Sequence, residues 1–165
     1  ITFQGGTLQV ASTSNLAGGS APLTLGNANS VTTLQLTTPN DVQILKPITL
    51  AGNSRIEAVG GLTLSGAING SHGLTVDGQS DITLNAAIGG TTSLATFNSN
   101  SAKTLTLGPL AKITSVGDIK ISGVTRFVNN AVDTAPLKPA TIDAAIALAI
   151  IFFLKLIGFC MDLIL

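Results

Sequence analysis

Short alternations of aliphatic and polar residues fill roughly the first 132 residues, and each one closes on Gly, Asn, Ser or Asp. Leu62, Thr63 and Leu64 form one such segment, and residues 82–84 form another. A period of two places the aliphatic side chains on one face of a strand and the threonines on the other. Asn-Gly, Asp-Gly and Gly-Gly dipeptides supply turns between the segments. The pattern predicts an all-β region of half-buried strands, with no helix before residue 135.

An internal repeat distinguishes among the possible all-β architectures. Residues 46–66 align without gaps on residues 103–123, with eight identities in 21 positions and an offset of 57 residues. Such a unit is too long for one coil of a solenoid, but it divides into about three coils of roughly 19 to 20 residues. The repeat predicts a parallel β-solenoid of about six or seven coils with a continuous aliphatic core. An antiparallel sandwich, with a strand roughly every 8 to 12 residues, is the alternative.

The run over residues 61–108 resembles the repeats of filamentous haemagglutinin-like large exoproteins and of autotransporter passenger domains. The order of its Leu-Thr-Leu, Ile-Asn-Gly and Ile-Gly-Gly elements carries the resemblance. It implies a right-handed parallel β-helix, exported to or beyond the Gram-negative outer membrane, that serves adhesion, aggregation or biofilm formation. The implied partners are ligands on host or neighbouring cells, or other copies of the chain. The resemblance brings no catalytic or cofactor-binding residues.

Composition narrows the function further. The chain has 8 basic and 8 acidic residues among 165, against 21 Thr, 13 Ser, 11 Asn and 18 Gly. A globular enzyme usually keeps about a quarter of its residues charged, so we expect neither catalysis nor a cofactor nor a metal. The zero net charge and isolated basic residues argue against a nucleic-acid partner. The single Cys160 cannot form an internal disulfide, which fits a bacterial surface protein.

Individual polar residues have ordinary structural interpretations. His72 is the only histidine, so a metal site or a Ser-His-Asp triad has no second element. Asp77, Asp81 and Asp118 are interpreted as turn caps, because the Gly-Gly-x-Gly-x-Asp repeat of calcium-binding β-rolls is absent. A polysaccharide-cleaving enzyme would need charged side chains clustered on one face. That hypothesis would gain if coil stacking brought into one groove three or more of Asp41, Arg55, Glu57, Asp77, Asp81 and Asp118.

Threonines alternating with inward aliphatic residues are predicted to form an outward rank of hydroxyls. Such a rank raises an ice-binding alternative, although each strand offers a single outward threonine where a flat array needs two. The members of the predicted rank are Thr49, Thr63, Thr75, Thr83 and Thr106.

The chain changes character after about residue 132. Residues 133–140 are predicted to be a linker that includes Pro136 and Pro139, and residues 141–165 an apolar helix. Residues 142–165 would span about 36 Å at 1.5 Å per residue, enough to cross the roughly 30 Å hydrocarbon core of a membrane. A membrane or assembly helix, a cap on the solenoid and an artefactual ending remain open. The predicted packing face of this helix comprises Ala144, Leu148, Ile151, Lys155, Gly158 and Asp162.

Together these features predict a secreted or cell-surface structural and adhesive module without catalytic activity. A membrane-anchored or self-assembling subunit that displays a solenoid is the main alternative. Because the chain begins at Ile1, we expect either a fragment or a form from which a signal has been removed. Its short length for an exoprotein likewise suggests a fragment, or a small protein built on the same unit.

Overall fold

The protein is a parallel β-solenoid of about five coils, as shown by a computed structural model that describes residues 1–12, 16 and 21–128. Nearly all of its regular structure is β-strand. The strands in these residues are β1 (Thr2–Phe3), β2 (Gly6–Val10), β3 (Leu23–Leu25), β4 (Thr32–Leu36), β5 (Val42–Ile44), β6 (Ile48–Leu50), β7 (Ser54–Ala58), β8 (Leu62–Leu64), β9 (Ile68–Asn69), β10 (Gly73–Gly78), β11 (Ile82–Leu84), β12 (Ala87–Ile88), β13 (Thr96–Leu107), β14 (Lys112–Ile113) and β15 (Ile119–Phe127).

Strands of successive coils pair in parallel and form three ladders along the solenoid. Face A contains β1, β3, β6, β9, β12 and β14. Face B contains β2, β4, β7, β10 and the first parts of β13 and β15, whereas face C contains β5, β8, β11 and the remaining parts of β13 and β15. Because β13 and β15 run unbroken around the corner between faces B and C, hydrogen bonding joins these two faces into one sheet.

The coils are as long as the sequence predicted or up to several residues longer. Stacked partners lie 20 residues apart at Asp41 and Gly61 and 26 residues apart at Gln9 and Gln35. The difference in coil length lies in the corners, since residues 37–41 and 89–93 lie outside the strands. Longer coils leave room for about five where six or seven were predicted, and that prediction was wrong.

The 57-residue alignment also joins the wrong faces. Ile48 lies on face A, whereas its aligned partner Leu105 lies on face C. In the same way, Ile56 lies on face B and its partner Ile113 on face A. The offset therefore covers two complete coils and two further faces, and does not complete a third coil. The alignment matched strands of different faces because all three faces share one sequence pattern. In that pattern an inward aliphatic residue, an outward polar residue and a second inward aliphatic residue are followed by a turn.

The core consists of aliphatic side chains stacked in columns, as the alternation predicted. Leu34, Ile56 and Val76 occupy one column in successive coils, and none of them is exposed. Each such side chain contributes about 1.5–3 kcal/mol through burial. Ile119 and Ile121 in β15 have the same inward parity but are only partly covered, since no later coil stacks on them among the described residues.

Side chains at the corners fasten each coil to the next. Asn53 Oδ1 accepts a hydrogen bond from the Gly73 amide at 2.8 Å, and Asp81 Oδ1 accepts one from the Thr104 amide at 3.0 Å. Gly26 shows why small residues recur at these positions, because its φ is +88° and a Cβ there would lie 2.8 Å from the Gly52 backbone. The corners therefore set how closely successive coils stack.

Several predictions fall outside the described residues. These are the linker over residues 133–140, the apolar helix over residues 141–165 and its face, together with Cys160. In the part of the chain that the structure describes, no helix is long and apolar enough to cross a bilayer. The right-handedness of the β-helix, which the family resemblance implies, stays a prediction.

Candidate functional site

The outward residues of face B form two columns along the solenoid. Parallel pairing in register brings residues of the same parity into line, about 4.8 Å from coil to coil. The first column contains Thr7, Thr33, Arg55, Thr75, Asn98 and Lys120. The second, called here the amide-acid ladder, contains Gln9, Gln35, Glu57, Asp77 and Asn100.

Hydrogen bonds between side chains connect most of the amide-acid ladder. Gln9 Nε2 donates to Gln35 Oε1 at 2.8 Å, and Gln35 Nε2 donates to Glu57 Oε2 at 3.0 Å. Further along, Asn100 Nδ2 donates to Asp77 Oδ1 at 2.7 Å. Each bond joins neighbouring coils, so the ladder holds these side chains in place and makes face B a defined polar surface.

Arg55 links the two carboxylates of the ladder. Its Nε lies 2.8 Å from Glu57 Oε1, which is on the same strand, and 2.5 Å from Asp77 Oδ2 on the next coil. The three side chains are 48 %, 28 % and 17 % exposed, respectively. The pair of carboxylates and the single guanidinium carry a net charge of minus one.

A groove runs beside the ladder. It has a volume of about 240 Å³ and is lined by Arg55 and by the ladder from Gln35 to Asn100. Val59, which is 39 % exposed, and Gln79 also line the groove. The groove crosses strands of four successive coils, so only the stacked solenoid creates it.

The structure places the six charged residues singled out in the sequence in different settings. Arg55, Glu57 and Asp77 meet in the groove, and these three satisfy the clustering condition set for a polysaccharide-cleaving site. The interpretation of Asp77 as a turn cap was wrong, because it lies within β10 and faces outward beside Arg55.

The other three charged residues stay apart from the groove. Asp41 and Asp81 cap corners through backbone amides of the next coil, as Asp81 was predicted to do. Asp118 is exposed, and its Oδ2 lies 4.0 Å from Lys120 Nζ.

The predicted rank of threonines is divided among the faces. Thr63, Thr83 and Thr106 stack in register on face C. Thr49 lies on face A, and Thr75 lies in the first column of face B. Face C therefore carries one column of three outward hydroxyls between Gln43 and Arg126, which is narrower than the flat array of the ice-binding alternative.

His72 lies at the corner before β10 and is half-buried, with its carbonyl accepting a hydrogen bond from the Ala95 amide at 3.1 Å. Within residues 1–12, 16 and 21–128, no three His, Cys, Asp or Glu side chains are grouped so that they could hold a metal ion.

Comparison with known proteins adds no relative. A scan against protein-family models and searches of curated proteins and of solved structures found no significant match to this chain. The observed solenoid is compatible with a β-helix repeat protein. The function must therefore be argued from the surface itself.

The amide-acid ladder was not predicted from the sequence, because only threonines and clustered charges were considered as surface signals. A usable signal was present: polar residues occur two apart in each face B strand, as in Thr33 with Gln35 and Arg55 with Glu57. Aligning these pairs at the spacing of the actual coils would have revealed the ladder.

Proposed function

We propose that the protein is a structural and adhesive β-solenoid module that works outside a bacterial cell or on its surface. The observation that carries this proposal is the in-register outer surface of face B, in which hydrogen-bonded side chains connect one coil to the next. A stack held by parallel ladders on three faces is stiff along its axis. Such a rod suits the presentation of a polar surface to a partner.

Its composition supports a site outside the cell. Polarity on the outer faces of the described coils comes chiefly from Thr, Gln, Asn and Ser and little from charge. The similarity of residues 61–108 to exoprotein repeats points in the same direction. Export to the bacterial surface is therefore part of the proposal.

A polysaccharide-cleaving enzyme is the second candidate, favoured by the meeting of Arg55, Glu57 and Asp77 in a groove. Glycosidases usually place one carboxylic acid and one carboxylate in different environments, which separates the acid from the base or nucleophile. Here both carboxylates contact the same Arg55 Nε and each also accepts from a side-chain amide. This shared environment suits binding better than proton transfer, and we propose a non-catalytic role.

An adhesion assay with the full chain tests the proposal. Beads coated with the protein should bind bacterial or epithelial cells several times more than beads coated with albumin at equal density, or the chain should self-associate in light scattering. A parallel incubation with neutral and acidic polysaccharides should release no reducing ends. The adhesive role would be contradicted if coated beads bound neither cell type and the chain also stayed monomeric in light scattering. Released reducing ends would favour the enzyme.

A further inference from the structure

We propose that the groove beside the amide-acid ladder binds a neutral polyhydroxylated chain, that is, a segment of an uncharged glycan. This inference deepens the adhesive function proposed above and rests on it. It assigns the ligand class to the groove that Arg55, Glu57 and Asp77 help to line.

The charge of the groove selects against anionic ligands. Two carboxylates face one guanidinium, and among the described residues the groove lining contains no other basic side chain. The negative balance would repel phosphate, sulfate and uronate groups. Cations are also poorly served, because Glu57 contacts Arg55 and Gln35, and Asp77 contacts Arg55 and Asn100. A neutral ligand avoids both costs.

Hydrogen-bonding capacity remains at the groove surface. Arg55 makes its ion pairs at Nε, which carries one of the five N–H donors of a guanidinium. Asn100 uses its Nδ2 towards Asp77, so its Oδ1 is left as an acceptor, and Gln79 adds a further amide. A mixture of donors and acceptors suits hydroxyl groups, since each hydroxyl both donates and accepts.

The dimensions and the apolar wall fit a short stretch of glycan. From the coil of Gln35 to the coil of Asn100 the groove crosses four strands, or roughly 14 Å at about 4.8 Å per strand. Val59 supplies an exposed aliphatic surface for the apolar face of a sugar ring. Because no aromatic side chain from the described part of the chain lines the groove, we expect no stacking on a sugar ring and a modest affinity.

A glycan array probed with the labelled full chain tests this assignment. The array carries neutral oligosaccharides of three to five residues beside sialylated and sulfated ones. The wild-type chain should bind neutral members and ignore the anionic ones. Asp77→Asn and Arg55→Lys should each weaken binding by about tenfold or more, because the first removes the carboxylate that pairs with Arg55 and the second removes guanidinium N–H donors. Arg55→Lys keeps the positive charge and removes the guanidinium fork.

Thr83→Val serves as the matched control, because Thr83 points outward on face C away from the groove. It should bind like the wild type, and circular dichroism should show the same fold for all variants. Binding to anionic glycans alone or an absence of neutral binding would overturn the assignment. Neutral binding as strong in the Arg55→Lys and Asp77→Asn variants as in the wild type would overturn it too. If coated beads still adhere to cells when no neutral glycan binds, the adhesive function stands and only the groove assignment falls.

Discussion

Ser99 occupies a position where the surrounding pattern calls for an aliphatic residue. It stacks between Val76 and Ile121 on face B, and its side chain is fully buried. Its Oγ has no hydrogen-bond partner in the described part of the chain. Burying a hydroxyl without a partner costs about 1–3 kcal/mol in mutational data. Ser99→Ala should therefore raise the free energy of unfolding by about 1 kcal/mol, after allowance for the small space left behind.

Ser99→Val extends the same test. Valine would continue the column begun by Val76, and each added and buried methylene-sized group contributes about 0.8 kcal/mol if the space accepts it. We expect a gain at least as large as that of Ser99→Ala. A smaller gain or a loss would show that the column is already filled at this coil.

Ser101 provides the matched control two residues along the same strand. It is also buried, but its Oγ donates to the Ser80 carbonyl at 3.0 Å and accepts from the Lys103 amide at 3.3 Å. Ser101→Ala should therefore lower the free energy of unfolding by about 1–2 kcal/mol. The same chemical change is expected to act in opposite directions at the two positions.

Urea unfolding of the full chain measures these effects. Far-UV circular dichroism is the appropriate signal, because the chain has neither Trp nor Tyr. At an unchanged denaturant slope, a shift of the midpoint reports the change in stability. If Ser99→Ala and Ser101→Ala both lowered the midpoint equally, the Ser99 hydroxyl would have a bonding partner and the reasoning would be refuted.

Three further predictions concern the core and the corners. Ile56→Ala should lower the free energy of unfolding by about 2–5 kcal/mol, because removing its fully buried side chain leaves a cavity. Val59→Ala, at a partly exposed corner, should change it by under about 0.5 kcal/mol. Equal urea midpoints for the two variants would contradict this prediction. Asp81→Ala should lower the free energy of unfolding by about 1 kcal/mol, because the hydrogen bond from the Thr104 amide is lost. Asp81→Asn should lower it less, because asparagine keeps Oδ1 as an acceptor. Equal decreases of the melting temperature in the two variants would show that Asp81 does not cap this corner. Gly66→Ala should cost about 1–3 kcal/mol, because a Cβ there meets the backbone carbonyl of the preceding coil. A wild-type melting temperature for this variant would show that the corner can widen.

The alternation of residue types determined the strands and their inward faces. Leu62, Leu64, Ile82 and Leu84 are buried as predicted, because a strand with one dry face must turn the same parity inward wherever it sits. The same local rule placed Thr63 and its equivalents outside. The inward and outward positions of each strand can be predicted without knowing which coils lie next to it. Together with the internal repeat, these positions predicted a solenoid.

Tertiary structure alone decided which strands stack and what their outer residues form. The three faces repeat one pattern, so the sequence left their register ambiguous, and the lengths of the corners resolved it. Glu57 lies 22 residues after Gln35, and Asn100 lies 23 after Asp77. Coils of unequal length bring these side chains into one ladder only when the backbone pairs in parallel. The groove exists for that reason, since its walls come from four coils and no single segment contains it.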